Sequence, residues 1–209
     1  MKTLYIVRHG QTEWNVAGRM QGRLDSPLTA LGREQATQNG ALLHRLGGFG
    51  ALWVSTAGRT RETAQLLNQH TNAPMNMAEE LVERDCGDWS GMTLGEIQSR
   101  YPQSWAERQR RPFTHQPPNG ENMQDIHDRS HKFLQALLES KHDVIGLITH
   151  GVMSKVILKY FLSLPEQESV EISHPNDLVY RLTITAQDVE THHFVASGEA
   201  RSGLHHVLG

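Results

Sequence analysis

Two short stretches constrain this chain more than any others. Val7-Arg8-His9-Gly10 and Ile148-Thr149-His150-Gly151 each carry an apolar run into a polar residue, a histidine and a glycine. Ahead of the first, Leu4, Tyr5, Ile6 and Val7 show no polar alternation, and Val144 to Ile148 behave alike ahead of the second. Strands with that pattern are buried on both faces, as in a mostly parallel sheet. Ala51-Leu52-Trp53-Val54-Ser55 reads as a further buried strand, reaching Arg59 through Thr56-Ala57-Gly58. In open α/β sheets, ligands sit outside the carboxyl ends of the strands. If these strands are parallel neighbours, Arg8, His9, Arg59 and His150 meet at one edge of the sheet. Helix starts pointing at the same place add backbone donors and positive dipole ends. Two arginines, two histidines and helix N-termini make an oxyanion pocket, for which phosphate is the natural occupant. Gly10 is expected to let the backbone turn sharply or approach a ligand closely.

The remaining elements follow from caps and periodicity. Thr29 caps a helix running to about Leu46, which stops at Gly47-Gly48, with Leu28 as a staple ahead of it. A second helix carries Arg59, or starts just after it, and runs through Leu67. Met75 to Met77 suggests a short strand. Thr93 caps a short helix ending before Pro102. From Glu121 the pattern is helical, with Met123, Ile126, Ser130, Phe133, Leu137 and Leu138 on one face. Another helix spans Val152 to Leu162. Leu178 to Ile184 and Val189 to Ala196 alternate more and read as a hairpin closing one side of the sheet. The chain is expected to form one domain over 1–209. Within it, 79–120 holds Pro112, Pro117, Pro118, Trp89, Trp105 and the cations Arg108, Arg110 and Arg111, and is expected to be an insertion or lid over the sheet edge.

Composition narrows the partners. A net charge of −3 without a long Lys/Arg run argues against a nucleic-acid surface. The apolar stretches around 144–148 and 156–164 are too short or too interrupted to span a bilayer. Cys86 is the single cysteine, so no internal disulfide forms, and the start of the chain leads directly into strand one. The expected location is the cytoplasm. Thirteen histidines invite a metal hypothesis, since His127 and His131 share a helix face and His192-His193 and His205-His206 are adjacent pairs. None forms an HExxH or Cys/His cluster, and solvated surface histidines are the simpler reading.

The chemistry follows from the pocket. A neutral imidazole is a competent nucleophile toward phosphorus. Cationic arginines beside His9 disfavour a second positive charge and help keep it neutral. They also neutralise the equatorial oxygens of a phosphoryl group in transfer. A leaving alkoxide needs a proton, and Glu83 in Leu81-Val82-Glu83-Arg84 is the best-placed acid; its plainer reading is a surface salt bridge with Arg84. Competing routes lack their residues. A cysteine phosphatase needs Cys-x5-Arg, whereas Met92 stands six residues after Cys86, and no GxxxxGK loop is present.

The stretch Arg8-His9-Gly10-Gln11-Thr12-Glu13-Trp14-Asn15 resembles the opening motif of the histidine phosphatase superfamily, in its phosphoglycerate-mutase-like branch. The resemblance continues in family order through Arg19-Met20-Gln21-Gly22, Asp25-Ser26-Pro27-Leu28-Thr29, Ser55-Thr56-Ala57-Gly58-Arg59-Thr60, Leu81-Val82-Glu83, Gly87-Asp88-Trp89-Ser90-Gly91, Pro118-Asn119-Gly120-Glu121 and Thr149-His150-Gly151. It implies a three-layer α/β/α sandwich whose sheet is mostly parallel, with one antiparallel strand. It makes His9 the phosphohistidine, with Arg8, Arg59 and His150 holding the phosphoryl group. Asn15, Gln21, Gly22 and Gly151 match substrate-side positions, and Glu83 matches the proton donor and acceptor. The implied activity is hydrolysis of a small phosphorylated metabolite without metal or cofactor. Cofactor-dependent mutases of the family carry a histidine-tyrosine-glycine stretch and a lysine-bearing insertion after the acid. Here Asp85-Cys86-Gly87-Asp88-Trp89 stands instead, which favours hydrolysis. Gln11 and Asn122 replace the more usual glutamate and serine. A mutase and a non-catalytic phospho-ligand module stand as alternatives. Sugar phosphates, phosphoglycerates and α-ribazole phosphate are all open as substrates, and the oligomeric state is open too.

Overall fold

The first strand, β1 (Lys2–Arg8), shows why its sequence lacks alternation. Leu4 and Ile6 enter one hydrophobic core while Tyr5 and Val7 enter another, so both faces are buried. The computed structural model describes residues 1–195 and 198–206. Among these, β1 is joined by β2 (Ala51–Ser55), β3 (Met75–Ala78), β4 (Val144–Thr149), β5 (Val179–Ile184), β6 (Val189–Phe194) and β7 (Ala200–Ser202). The order across the sheet is β3-β2-β4-β1-β5-β6-β7. The first four strands in that order are mutually parallel. β5 runs against β1, and β6 and β7 each reverse again. The sheet is therefore mixed and mostly parallel, as expected. The short β7 adds a second opposed strand to the single one foreseen, because it folds back on β6. Ala196, where the second hairpin strand was expected to end, lies outside the described residues.

Eight helices complete the described chain: α1 (Glu13–Val16), α2 (Ala30–Arg45), α3 (Gly58–Thr71), α4 (Leu94–Arg100), α5 (Pro102–Arg110), α6 (Met123–Leu138), α7 (Gly151–Leu162) and α8 (Glu166–Glu171). Leu42 and Leu43 of α2 and Leu67 of α3 bury against one face of the sheet. Ile126 and Leu134 of α6 and Val156 and Ile157 of α7 bury against the other, giving the α/β/α layering. Thr29 caps α2, its hydroxyl accepting from the Gly32 N–H at 3.0 Å. Thr93 closes a capping box with Glu96 on α4. Helix α6 starts two residues later than expected, behind the Asn122 cap. Leu134 takes a core position on it, while Leu138 is 37% exposed. Successive helical residues are about 100° apart, so Leu137 and Leu138 cannot share one narrow stripe. No helix among the described residues is long and apolar enough to cross a membrane.

Residues 79–120 leave the end of β3 and carry two 3₁₀ turns, α4 and α5. They hold a small core of their own, Cys86, Trp89 and Ile97, packed against Met20 and Trp105. The segment is tied to the carboxyl end of β4 by Thr149 Oγ1, which donates to the Leu81 carbonyl at 2.8 Å.

Register places the two His-Gly stretches side by side. Arg8 pairs with Thr149, and the His9 N–H continues the ladder to the Thr149 carbonyl at 3.0 Å. Gly10 allows a close approach, here to the backbone of α2. A Cβ on Gly10 would lie 2.2 Å from the Gly32 carbonyl oxygen, and one on Gly32 would lie 2.0 Å from the Gln11 carbonyl oxygen. The turn after His9 and the first turn of α2 thus touch backbone to backbone, and neither glycine leaves room for a side chain. Gly32→Ala is expected to lower folding stability by about 1–3 kcal/mol, the usual cost of overpacking. A urea titration should show a lower midpoint at unchanged slope.

Candidate active site

The carboxyl ends of β1, β2 and β4 surround a cavity of about 330 Å³ whose walls include Arg8, His9, Arg59 and Glu83. His9 is 3% exposed. Its Nδ1 lies 2.8 Å from the Gly10 carbonyl oxygen. A carbonyl only accepts, so Nδ1 carries the proton. Burial holds the imidazole well below its ordinary pKa, and the charges of Arg8 and then Arg59 push the same way. The ring is therefore neutral, with its lone pair on Nε2. Asn176 Nδ2 donates to the His9 carbonyl at 2.7 Å, and the Gly10 N–H donates to Thr63 Oγ1 at 3.0 Å. These two bonds fix the backbone on either side of the ring.

The arginines are held by main-chain oxygens. Arg8 Nη1 donates to the His174 carbonyl at 2.8 Å, and its Nε is buried without a partner. Arg59, 2% exposed in the first turn of α3, donates from Nη2 to the Gly22 carbonyl at 2.8 Å. Its Nη1 donates to the Leu24 carbonyl at 2.7 Å and to Asp25 Oδ1 at 2.9 Å. The Nε of Arg59 is likewise unpartnered. Buried donors without partners are costly, and these two belong to cations lining one cavity.

Glu83 is not the surface partner of Arg84. Its Oε1 accepts from the N–H groups of Arg84 at 2.8 Å and Met153 at 3.1 Å, and its Oε2 from that of Val152 at 3.1 Å. The carboxylate is seated on the N-terminus of α7, where a negative charge is favoured, and it faces the cavity. The Arg84 side chain turns into the cavity wall instead. His150, like Gly151, is an expected site residue that does not line this cavity. It is fully buried, edge-on to His9 with ring centroids 5.4 Å apart, and its Nε2 lies 2.7 Å from Ser55 Oγ. Its Nδ1 has no partner. Burial, then Arg59, His9 and Arg8, hold it well below the ordinary histidine pKa.

Asn15, Gln21 and Gly22 all line the cavity. Asn15 Oδ1 accepts from the Thr12 N–H, closing the cap of α1. Gln21 Nε2 donates to Thr12 Oγ1 at 2.8 Å and leaves its Oε1 buried and unpartnered. Gly22, at φ +54°, turns its carbonyl to Arg59 and passes so close to Cys86 that a Cβ would meet the Cys86 nitrogen at 2.9 Å. Gly151 sits elsewhere, under the Arg8 guanidinium and beside a second, smaller cavity. Sequence reasoning did not reach Asp25, Asn176, Thr63 or the His174 carbonyl. Among them only Asp25 lies in a stretch that the sequence singles out. His127 and His131 lie beside Tyr160, away from the site, with ring centroids 5.7 Å apart.

Comparison with known proteins gives a consistent picture. Residues 4–196 match the model of the histidine phosphatase superfamily, branch 1. A Salmonella paratyphi C protein named a probable phosphoglycerate mutase, GpmB, is 31% identical over 207 residues, spanning 95% of this chain and 90% of that one. The solved structure of YhfR from Bacillus stearothermophilus superposes with a TM-score of 0.82 at 31% identity, over 90% of this chain and 94% of that one. A mycobacterial glucosyl-3-phosphoglycerate phosphatase, solved in complex with VO3, superposes with a TM-score of 0.82 at 27% identity, over 93% and 98%.

The buried neutral rings generate a pH dependence. His9 and His150 are held well below 6.5, and burial followed by Arg8 pushes His174 down to about 3 despite its bond to the Leu178 carbonyl. In the unfolded chain these rings gain protons below about pH 6.5, while in the folded chain they do not. The unfolded state then binds more protons, so stability falls as pH drops below 6.5. Each ring contributes roughly 1.4 kcal/mol per pH unit until its folded pKa is reached. Urea titrations between pH 7 and 5 should show this decline, and nitrogen NMR of His9 should show the neutral Nδ1–H tautomer throughout that range.

Proposed function

The chain belongs to the histidine phosphatase superfamily, branch 1, and within it we propose a phosphomonoester hydrolase working through phospho-His9 on a small phosphorylated metabolite. The observation that carries the reading is the orientation of one ring. His9 spends its Nδ1 proton on Gly10 and keeps the Nε2 lone pair, beside two arginines whose Nε donors lack partners. The phosphoryl group lies against Arg8, Arg59 and His9. His150 backs the nucleophile and offers its free Nδ1. Asn15, Gln21 and Gly22 shape the substrate side, and Gly151 supports the Arg8 guanidinium. Segment 79–120 acts as the cover of a single domain.

Two displacements complete the cycle. In the first, Nε2 attacks phosphorus, the P–N bond forms, and the ester P–O bond breaks. The departing alkoxide takes a proton from Glu83, which enters this step as the protonated acid and leaves it as the carboxylate seated on α7. In the second, Glu83 takes a proton from water, the resulting hydroxide attacks phosphorus, and the P–N bond breaks to release phosphate. The arginines carry the charge of the three equatorial oxygens in both steps, so no metal is required. The cytoplasm is the proposed location, since the one cysteine, Cys86, is buried and unpaired. A mutase reading has one observation of its own, the name of the 31% identical relative. It uses the same phospho-His9 and differs in handing the group to a second hydroxyl instead of water. With 3-phosphoglycerate as substrate, free phosphate marks the hydrolase and an isomer marks the mutase.

Brief incubation with a ³²P-labelled phosphomonoester, then denaturation, should leave acid-labile, base-stable label on the protein. EDTA should not prevent it. His9→Ala should carry no label and lose turnover by several orders of magnitude while keeping its fold. Label that persists in His9→Ala would refute the mechanism.

Glu83→Gln tests the acid. A nitrophenolate leaves without help, whereas an alkyl alcohol needs the proton. In single-turnover release, Glu83→Gln should slow an alkyl phosphate by about 10²–10⁴-fold and p-nitrophenyl phosphate much less. Equal slowing of both would make Glu83 a positioning group seated on α7.

A further inference from the structure

The loop ahead of β5 serves two parts of the site at once. Its His174 carbonyl accepts from Arg8 Nη1 at 2.8 Å, and two residues on, Asn176 Nδ2 donates to the His9 carbonyl at 2.7 Å. One short segment therefore sets both the guanidinium that meets the phosphoryl group and the backbone of the ring that attacks it. The loop is held in turn from behind. His174 Nε2 lies 3.0 Å from the Leu178 carbonyl, which only accepts, so Nε2–H donates and closes the turn. The His174 ring stands edge-on to that of Tyr180, with centroids 4.9 Å apart. Tyr180, on β5, is fully buried, and its hydroxyl oxygen lies 2.7 Å from the Ser173 carbonyl and 3.0 Å from the His205 nitrogen. Burial pushes the Tyr180 pKa up to about 12, so the hydroxyl keeps its proton. It donates that proton to Ser173 and accepts from the His205 N–H. The Ser173 N–H donates to the His205 carbonyl at 2.8 Å, and Ile172 bridges to His206 in the antiparallel sense. The strap 203–206 is itself anchored on β6. There the Gly203 N–H donates to the Thr191 carbonyl at 2.8 Å, and His193 Nδ1–H donates to the Gly203 carbonyl at 2.9 Å.

A phenylalanine would fill the same space at position 180 without a polar atom to satisfy. What tyrosine adds is an oxygen that joins a loop residue on one side to a strap residue on the other. The path from that oxygen to the chemistry is short. Ser173, whose carbonyl it holds, precedes His174, whose carbonyl clamps Arg8. We infer that Tyr180 is a positioning residue of the active site, and that together with the strap 203–206 it holds the loop 172–176 where His174 aims Arg8 and Asn176 fixes His9. Neither Tyr180 nor the strap lines either cavity that Arg8 borders, so both act only through the loop. A misplacement of about 1 Å at the reacting groups can cost about 100-fold in rate, so a support this close to Arg8 bears on turnover. The inference rests on the phosphatase reading for what Arg8 and His9 do.

Tyr180→Phe removes the oxygen and keeps the ring against His174. Its kcat should fall by the same factor with p-nitrophenyl phosphate and with an alkyl phosphate, roughly 10-fold or more, because the loop serves the phosphoryl group and not the leaving group. That pattern separates it from Glu83→Gln. Vanadate, an anion of the phosphoryl group's shape and charge, should bind more weakly by a similar factor. The Arg8 Nε–H signal in nitrogen NMR should move. Leu137→Ala, a core truncation on α6, is the stability control. It should lower the melting temperature at least as much and leave kcat, vanadate binding and the Arg8 signal unchanged. His205→Pro deletes the N–H that donates to Tyr180. It should show the same losses in smaller measure, and it takes the place of Tyr180→Phe should that variant fail to fold. Wild-type kcat or an unmoved Arg8 signal in the folded variant would overturn the inference, as would an equal loss in Leu137→Ala. Failure of the wild-type protein to hydrolyse p-nitrophenyl phosphate would instead overturn the phosphatase reading. The Arg8 signal and calorimetric binding of vanadate need no turnover and decide the inference in that event.

Discussion

Main-chain carbonyl oxygens, those of His174, Gly22 and Leu24, hold Arg8 and Arg59 in place, and the chemistry of the site depends on that choice. A carboxylate would fix a guanidinium equally well but would cancel its charge. A carbonyl fixes it and cancels little. Among the described residues only Asp25, whose side chain is 42% exposed, gives Arg59 an ionic partner, and water screens it from one side. The two guanidiniums thus stay electrostatically strong, with Arg59 and the neighbouring His9 almost fully buried. They attract an oxyanion and keep His9 from protonating. One arrangement gives both the binding site and the nucleophile.

The fold delivers those carbonyls by close approach. Gly22 and Leu24 reach Arg59 only because the loop after α1 passes against 83–86, where Gly22 and Cys86 touch. His174 and Asn176 come from the segment ahead of β5, beyond the sheet edge that β1 would otherwise expose. Gly10 and Gly32 bring α2 against the turn after His9, and Thr63 on α3 takes the Gly10 N–H. The nucleophile is therefore held by contacts from α2 and α3 on one face of the sheet, from β4 beside it and from the segment ahead of β5. None of its supports is a lone surface loop.

Much of this was legible in the sequence because strands and caps write themselves locally. The apolar runs, Thr29 and Thr93 gave the sheet and two helix starts, and the paired His-Gly stretches placed His9 beside His150. Two things were hidden for physical reasons. Main-chain acceptors carry no sequence signature, so the clamp on Arg8 could not be read from His174 or Leu178. The direction of a side chain leaving an irregular segment is set by tertiary contacts, so Glu83 and Arg84 looked like surface partners although one seats on α7 and the other turns into the cavity. Helix α5 was obscured likewise, because Pro102, which ends α4, serves equally as the first residue of the next helix.

The position of β1 in the sheet has a consequence for how the chain reaches this state. The strand carrying the nucleophile is among the first residues of the chain, yet its neighbours begin only at Val144 and Val179. During synthesis it emerges apolar on both faces and waits with nothing to pair with until both partners exist. Its contacts are among the most non-local the fold contains, which makes assembly slow relative to a fold of local hairpins. The same late event that buries β1 also brings Arg8 to His174 and His9 to His150. A nascent or partly folded chain therefore holds no working site, and catalysis starts only with the last long-range closure of the sheet.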